Sequence, residues 1–197
     1  MLSNRQLFLS HIAQTSPAPM LLELVRAEGI YLYDTQDKAY IDLISGFAVS
    51  NIGHSHPKVL EAVRTQTEKY MHLMVYGEVV QTPQVLYAKA LTDHLPKHLN
   101  TVYFTNSGAE ATEGAMKLAK RVTGRSQFVH FRNSYHGSTQ GALSVMGDEY
   151  FKQSFRPLLP DILMLEYNNS EQLNAISEIT AVVLIDSVPA ELGFNDS

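Results

Sequence analysis

The sequence predicts an α/β fold: a mainly parallel sheet flanked by helices, preceded by an antiparallel hairpin segment. Three observations carry that expectation. From Thr101 onward, short runs of β-branched and aromatic residues alternate with stretches of helical period, the pattern of strands joined by helical crossovers. Before residue 45, apolar residues instead flank a polar turn, Asp34-Thr35-Gln36-Asp37, as in a hairpin. The chain also has 197 residues and 45% hydrophobic content, enough to bury a core.

The elements run in chain order. Asn4 to Ala13 reads as a short helix, ended by the extended connector Thr15-Ser16-Pro17-Ala18-Pro19, where proline forbids further helix. In the segment Leu22 to Ser45, Ile30, Leu32 and Tyr33 are expected to face Ala39, Ile41 and Leu43 across the turn. Pro57 suits a first helical turn, and Val59, Leu60, Val63, Tyr70 and Met71 continue at helical spacing. A further helix opens at Thr82-Pro83 and stops by Pro96. Thr101 to Thr105 reads as a strand. Gly108 to Val122 reads as a helix with Ala111, Ala115, Leu118, Ala119 and Val122 on one face. Then come a strand at Gln127–Phe131, a helix from Gly137 to Met146, a strand from Ile162 to Tyr167, a helix from Ser170 to Ile176, and a strand from Thr180 to Asp186. The domain division expected from this rhythm is 1–55 for an N-terminal segment and 56–197 for the sheet-bearing domain.

Composition excludes several classes. Fifteen Lys and Arg against 20 Asp and Glu give a net charge of −5, which argues against a nucleic-acid partner. Without cysteine, disulfides, thiolate zinc sites and cysteine nucleophiles are ruled out. No apolar run has the length to span a bilayer, and Met1 to Ser10 lacks the pattern of a signal peptide. A cytoplasmic location is therefore expected. Two histidines two apart in Gly53-His54-Ser55-His56-Pro57, without a third ligand, do not make a zinc site, so no metal is expected.

Right-handed crossovers put every strand-to-helix turn on one sheet edge, where ligands of such sheets bind. Three segments fall there: Asn106-Ser107-Gly108, Asn133 to Gly137, and Asp186 with the residues after it. Ser107 can cap the helix behind it, with Glu110 completing a capping box. Free amides at a helix start suit a phosphate, although a well-capped helix alone explains the same residues. Tyr135 can stack on a flat ring held over the edge; packing on its own domain is the plainer alternative.

Together these segments resemble the class III aminotransferases, fold type I pyridoxal-phosphate enzymes. Four motifs stand in the family's order: Gly29-Ile30-Tyr31-Leu32-Tyr33-Asp34 with Tyr40-Ile41-Asp42; Ser45-Gly46-Phe47-Ala48-Val49 with Gly53-His54-Ser55-His56-Pro57; Phe104-Thr105-Asn106-Ser107-Gly108-Ala109-Glu110-Ala111 with Glu113 and Lys117; and Tyr135-His136-Gly137-Ser138-Thr139. The resemblance implies pyridoxal 5'-phosphate as cofactor. Ser107, Gly108 and Ala109 would hold its phosphate, Tyr135 would stack on its ring, and His136 would lie beside it. Phe47, Tyr76 and Asp186 would line the substrate pocket, the first two across a dimer interface. The implied reaction is ping-pong transfer of an amino group from an amino acid or ω-amine to a 2-oxo acid. The implied assembly is a homodimer, with residues 1–55 belonging to the small domain and 56–197 to the large one.

Two departures from the family pattern stand out. Where the family continues with Glu-Pro-Val-Gln-Gly-Glu, its glutamate often pairing with a substrate-region arginine, this chain has Asp186-Ser187-Val188-Pro189-Ala190-Glu191, with Asp186 one methylene shorter. The lysine that would bind the cofactor covalently has no matching position up to Ser197; Lys117 and Lys120 fall on a helix and Lys152 in a loop. The chain is therefore expected to be an N-terminal half, inactive alone. An aminomutase, epimerase or decarboxylase on the same fold, or a non-catalytic half-domain binding module, are the alternatives.

Overall fold

The computed structural model describes residues 2–74 and 77–186. The chain divides into two compact units, Met1–Gln81 and Thr82–Ser197.

In the first unit, α1 (Asn4–His11) starts at a capping box between Ser3 and Gln6. Strands β1 (Leu24–Glu28), β2 (Tyr31–Asp34) and β3 (Ala39–Ile41) form an antiparallel sheet in that order. The register differs from expectation: Tyr31 pairs with Ile41, Leu32 with Tyr40 and Tyr33 with Ala39. Asp34 sets it. Its carboxylate accepts from the amides of Gln36 and Lys38 at 2.9 and 3.0 Å and from the Tyr40 hydroxyl at 2.9 Å, which fixes the turn length and thereby the pairing. A single turn, α2 (Ser45–Ala48), is wound left-handed, with φ between 52° and 60° at all four residues. Helix α3 (Pro57–Lys69) begins with proline at its first position, as predicted.

In the second unit, α4 (Thr82–Thr92) and the 16-residue α5 (Gly108–Thr123) precede a parallel sheet. Its strands are β4 (Gln127–Phe131), β5 (Ile162–Leu165) and β6 (Thr180–Val183), in the order β5-β4-β6. Two short helices, α6 (Gln140–Ser144) and α7 (Glu149–Lys152), lie between β4 and β5. Ser170–Ala175 forms a 3-10 helix rather than the α-helix expected. Central β4 is covered on both faces, as parallel strands require. Phe128 joins Met116 and Val145 on one face, and Val129 and Phe131 join Leu165 on the other.

Three further expectations fail here. Thr101–Thr105 is not a strand, because none of the described segments is hydrogen-bonded alongside it. The helix after β4 begins at Gln140, not Gly137, because Gly137 has φ +117°, a conformation no helix holds. The buried face of α5 is also not the predicted one. Met116 is its buried residue, with Ala109, Thr112, Glu113 and Ala119 partly covered, while Leu118 and Val122 are 62% and 75% exposed. The helix packs on β6 and α6 through the ridge that includes Met116, not through the row with the larger apolar sum.

Candidate active site

The site grows from the first turn of α5. Ser107 caps it, its hydroxyl oxygen accepting from the Glu110 amide at 3.2 Å. Glu110 does not close the predicted capping box; its carboxylate accepts from the Asn106 amide at 2.6 Å instead. The amides of Ser107, Gly108 and Ala109 have no partner among the described residues, and the Ser107 hydroxyl hydrogen remains available to donate. These groups sit at the positive end of a helix of 16 residues, an arrangement that attracts an anion.

The loop after β4 lies directly against that turn. A Cβ on Gly137 would stand 2.6 Å from Ala109 Cβ and 2.8 Å from Ala109 Cα, so only glycine allows the approach. The Thr112 hydroxyl donates to the His136 carbonyl at 3.0 Å, a second tie between α5 and the loop. Tyr135, two residues before Gly137, is 52% exposed. A half-exposed aromatic side chain therefore stands on a loop bound to the first turn of α5.

His136 is half-buried, and its Nε2 has no hydrogen-bond partner among the described residues. Burial lowers its pKa, opposed by the charge of Asp186, so the ring is neutral near pH 7. Asp186 lies just beyond β6, and its carbonyl accepts from the Tyr167 hydroxyl at 2.7 Å. Of the three segments predicted to line the sheet edge, two touch, Ala109 against Gly137, while the charge of Asp186 reaches His136 through space.

Other predicted positions have different standings. Tyr76 lies outside the described residues. Phe47 belongs to the first unit, 87% exposed on the left-handed turn. His54 is engaged by Asp42, Nε2 to Oδ2 at 2.7 Å, and His56 stands at the N-cap of α3. Asp42 also accepts from the amides of Ile44 and Ser45 at 3.1 and 2.7 Å. The His54 bond first, and then these amides, hold its carboxyl below the usual range. A cavity of about 280 Å³ opens beside this pair, bordered by Gly29, Ser45, Asn51 and Gly53.

Three residues take places in the structure that sequence reasoning did not assign to them. Glu113 receives three hydrogen bonds from the start of α6 and the residue before it. His130, at the heart of β4, is fully buried with both ring nitrogens unpartnered among the described residues. Lys152, placed by the sequence in a loop, ends α7, is 5% exposed, and lies 3.4 Å from Glu149. The reading of β4 as a strand covered on both faces could have flagged His130, since such a strand leaves a polar side chain no way out.

The parallel sheet, with the capped first turn of α5 and the Tyr135 loop against it, has the fold type I architecture of pyridoxal-phosphate transferases, and solved transaminases of that fold resemble this chain. The adenosylmethionine-8-amino-7-oxononanoate aminotransferase of Methanocaldococcus jannaschii superposes with a TM-score of 0.82 at 31% identity, over 91% of this chain and 45% of that one. An (S)-enantioselective omega-transaminase of Thermomicrobium roseum gives 0.82 at 25% identity, over 93% and 48%. The chain belongs to the class III aminotransferase family, whose sequence model matches residues 12–195. An acetylornithine aminotransferase of Archaeoglobus fulgidus is 40% identical over 184 residues, 93% of this chain and 48% of the relative. A [LysW]-aminoadipate semialdehyde/glutamate semialdehyde transaminase of Sulfurisphaera tokodaii is 35% identical over 172 residues, 87% and 44% respectively. The chain thus spans about half the length of the curated relatives it matches.

Proposed function

We propose that this chain forms the phosphate- and ring-binding part of a pyridoxal-phosphate-dependent aminotransferase, which moves an amino group to a 2-oxo acid. The observation that carries the reading is the contact of Gly137 with Ala109, which joins an anion cradle to an aromatic platform. The residues fit the cofactor. The amides of Ser107, Gly108 and Ala109 and the Ser107 hydroxyl hold the phosphate, Tyr135 covers one face of the pyridine ring, and neutral His136 lies at its side. Bound there, pyridoxal 5'-phosphate supplies the electron sink that makes amino transfer feasible.

The chain's own contribution is binding and orientation. The phosphate is the point of attachment, because a charge-assisted set of amide donors is stronger than neutral contacts. Tyr135 fixes the ring plane. Because burial opposes a charge on His136, the imidazole adds no cation beside the ring. Phe47, Tyr76 and Asp186 are assigned to the substrate pocket. Relatives named for acetylornithine and for semialdehydes support an ω-amino donor. We assign the covalent link to none of Lys117, Lys120 or Lys152. The small-domain role of 1–55, the cofactor-domain role of 56–197, the homodimer and the cytoplasmic location complete the proposal.

The test is a titration of the purified protein with pyridoxal phosphate, followed by tyrosine fluorescence. Saturable binding weakened by Ser107→Ala and by Tyr135→Ala supports the reading; binding indifferent to both overturns it. Borohydride treatment followed by peptide mapping checks that Lys117, Lys120 and Lys152 stay unlabelled.

A further inference from the structure

We propose that Glu113 is a positioning residue: from α5, its carboxylate holds the start of α6, and so fixes the Tyr135-bearing loop over the anion-seeking turn. The inference rests on the cofactor reading above and adds to it the residue that keeps ring platform and phosphate cradle in register.

One oxygen of Glu113 receives three bonds. The Thr139 hydroxyl donates at 2.6 Å, the Gly141 amide at 2.9 Å and the Ala142 amide at 3.1 Å. These donors require an acceptor. Residues Gly141 to Ser144 of α6 are buried, so the first amides of the helix cannot turn to water and would be left bare without an acceptor. The loop supplies nothing itself: Thr139 makes no side-chain cap, and the first turn of α6 has no acidic residue. The fit is close. A Cβ on Gly141 would lie 2.8 Å from the Glu113 carboxyl carbon.

The neighbouring residue of α5, Thr112, grips the other end of the same loop through the His136 carbonyl at 3.0 Å. Two adjacent residues of one helix therefore clamp residues 136, 139, 141 and 142. Tyr135 leads into that clamp, and Gly137 within it rests on Ala109. Glu113 lies five residues along α5 from Gly108, about 7.5 Å at the helical rise, and so acts on the ring through the loop.

The experiment uses the full native protein freed of cofactor and two probes, inorganic phosphate and pyridoxamine 5'-phosphate. Phosphate reports the cradle alone, and the ratio of the two affinities reports the ring platform. Glu113→Ala is expected to leave phosphate affinity within about twofold and to lower the ratio about tenfold, equivalent to about 1.4 kcal/mol. Glu113→Gln is expected to restore most of the ratio, since its amide oxygen can accept the same three bonds. Should Glu113→Ala fail to fold, Thr139→Val removes one donor while the buried amides stay bonded, and is expected to lower the ratio about threefold. An unchanged ratio in Glu113→Ala, or in Thr139→Val where that variant stands in, overturns the inference while leaving the cofactor reading intact. So does a Glu113→Gln ratio no better than that of Glu113→Ala. A wild-type protein with no preference for pyridoxamine phosphate over phosphate overturns the cofactor reading itself, and this inference with it.

Discussion

His130 should make the protein acid-sensitive in a defined pH window. Its imidazole is 0% exposed on central β4, both ring nitrogens lack partners among the described residues, and burial followed by the charge of Lys152 pushes its pKa down to about 4 from 6.5. The unfolded chain takes up a proton near pH 6.5, whereas the folded chain resists until about pH 4. Stability from this residue is therefore full above pH 6.5 and falls as pH drops toward 4. At about 1.4 kcal/mol per unit, the gap of 6.5 to about 4 amounts to about 3 kcal/mol overall and about 2 kcal/mol by pH 5. His130→Leu removes the titration and two bare polar atoms at similar volume. It should match or exceed wild-type stability at pH 7 and lose about 2 kcal/mol less than wild type between pH 7 and pH 5. Urea unfolding at half-unit pH steps, followed by far-UV circular dichroism, measures both curves. Parallel curves for the two proteins would refute the reasoning.

Two further outcomes are expected. Gly137→Ala combines a positive φ with a Cβ 2.6 Å from Ala109 Cβ, so it should cost about 2–5 kcal/mol and weaken pyridoxal phosphate binding; an unaltered urea midpoint would mean that the two loops do not touch. Asp42→Asn weakens the contact to His54 and the acceptors for Ile44 and Ser45. Because the Asp42 pKa is depressed in the fold, its stabilisation is present above the ordinary carboxylate range and lost as pH falls through the folded value. The variant's thermal midpoint should lie below wild type at pH 7 and converge with it in acid, and a constant difference across pH would count against this.

Much of the architecture was legible because local signals agreed with the packing. β4 matched its predicted span because Phe128, Val129 and Phe131 favour a buried strand and polar residues flank it on both sides. α5 began at Gly108 because Ser107 is a cap in sequence and in space. The failures share a cause in partners that local sequence cannot name. Thr101–Thr105 has strand composition, but a strand exists only beside another. α5 carries an apolar row at Ala111, Ala115, Leu118 and Val122, yet the row through Met116 meets the sheet, a choice set by β6 and α6. The candidate site was legible as two separate turns. Their junction was not, because it depends on the absent side chain of Gly137, and an absence carries no periodicity. Glu113 stood in a motif, but its role was not legible because its partners lie 26 to 29 residues away at Thr139 to Ala142.

The left-handed turn at Ser45–Ala48 has a consequence for where the first unit gives way. Winding L-residues against their natural hand costs about 1–2 kcal/mol for each residue other than glycine, and three of the four here are not glycine. Asp42 offsets part of that cost by receiving the amides of Ile44 and Ser45, which makes the turn a latch under load. Opening it releases torsional energy that opening the neighbouring β-ladder does not, so its amides should trade deuterium ahead of those in β2. Phe47 would then sample several orientations before the surrounding strands loosen.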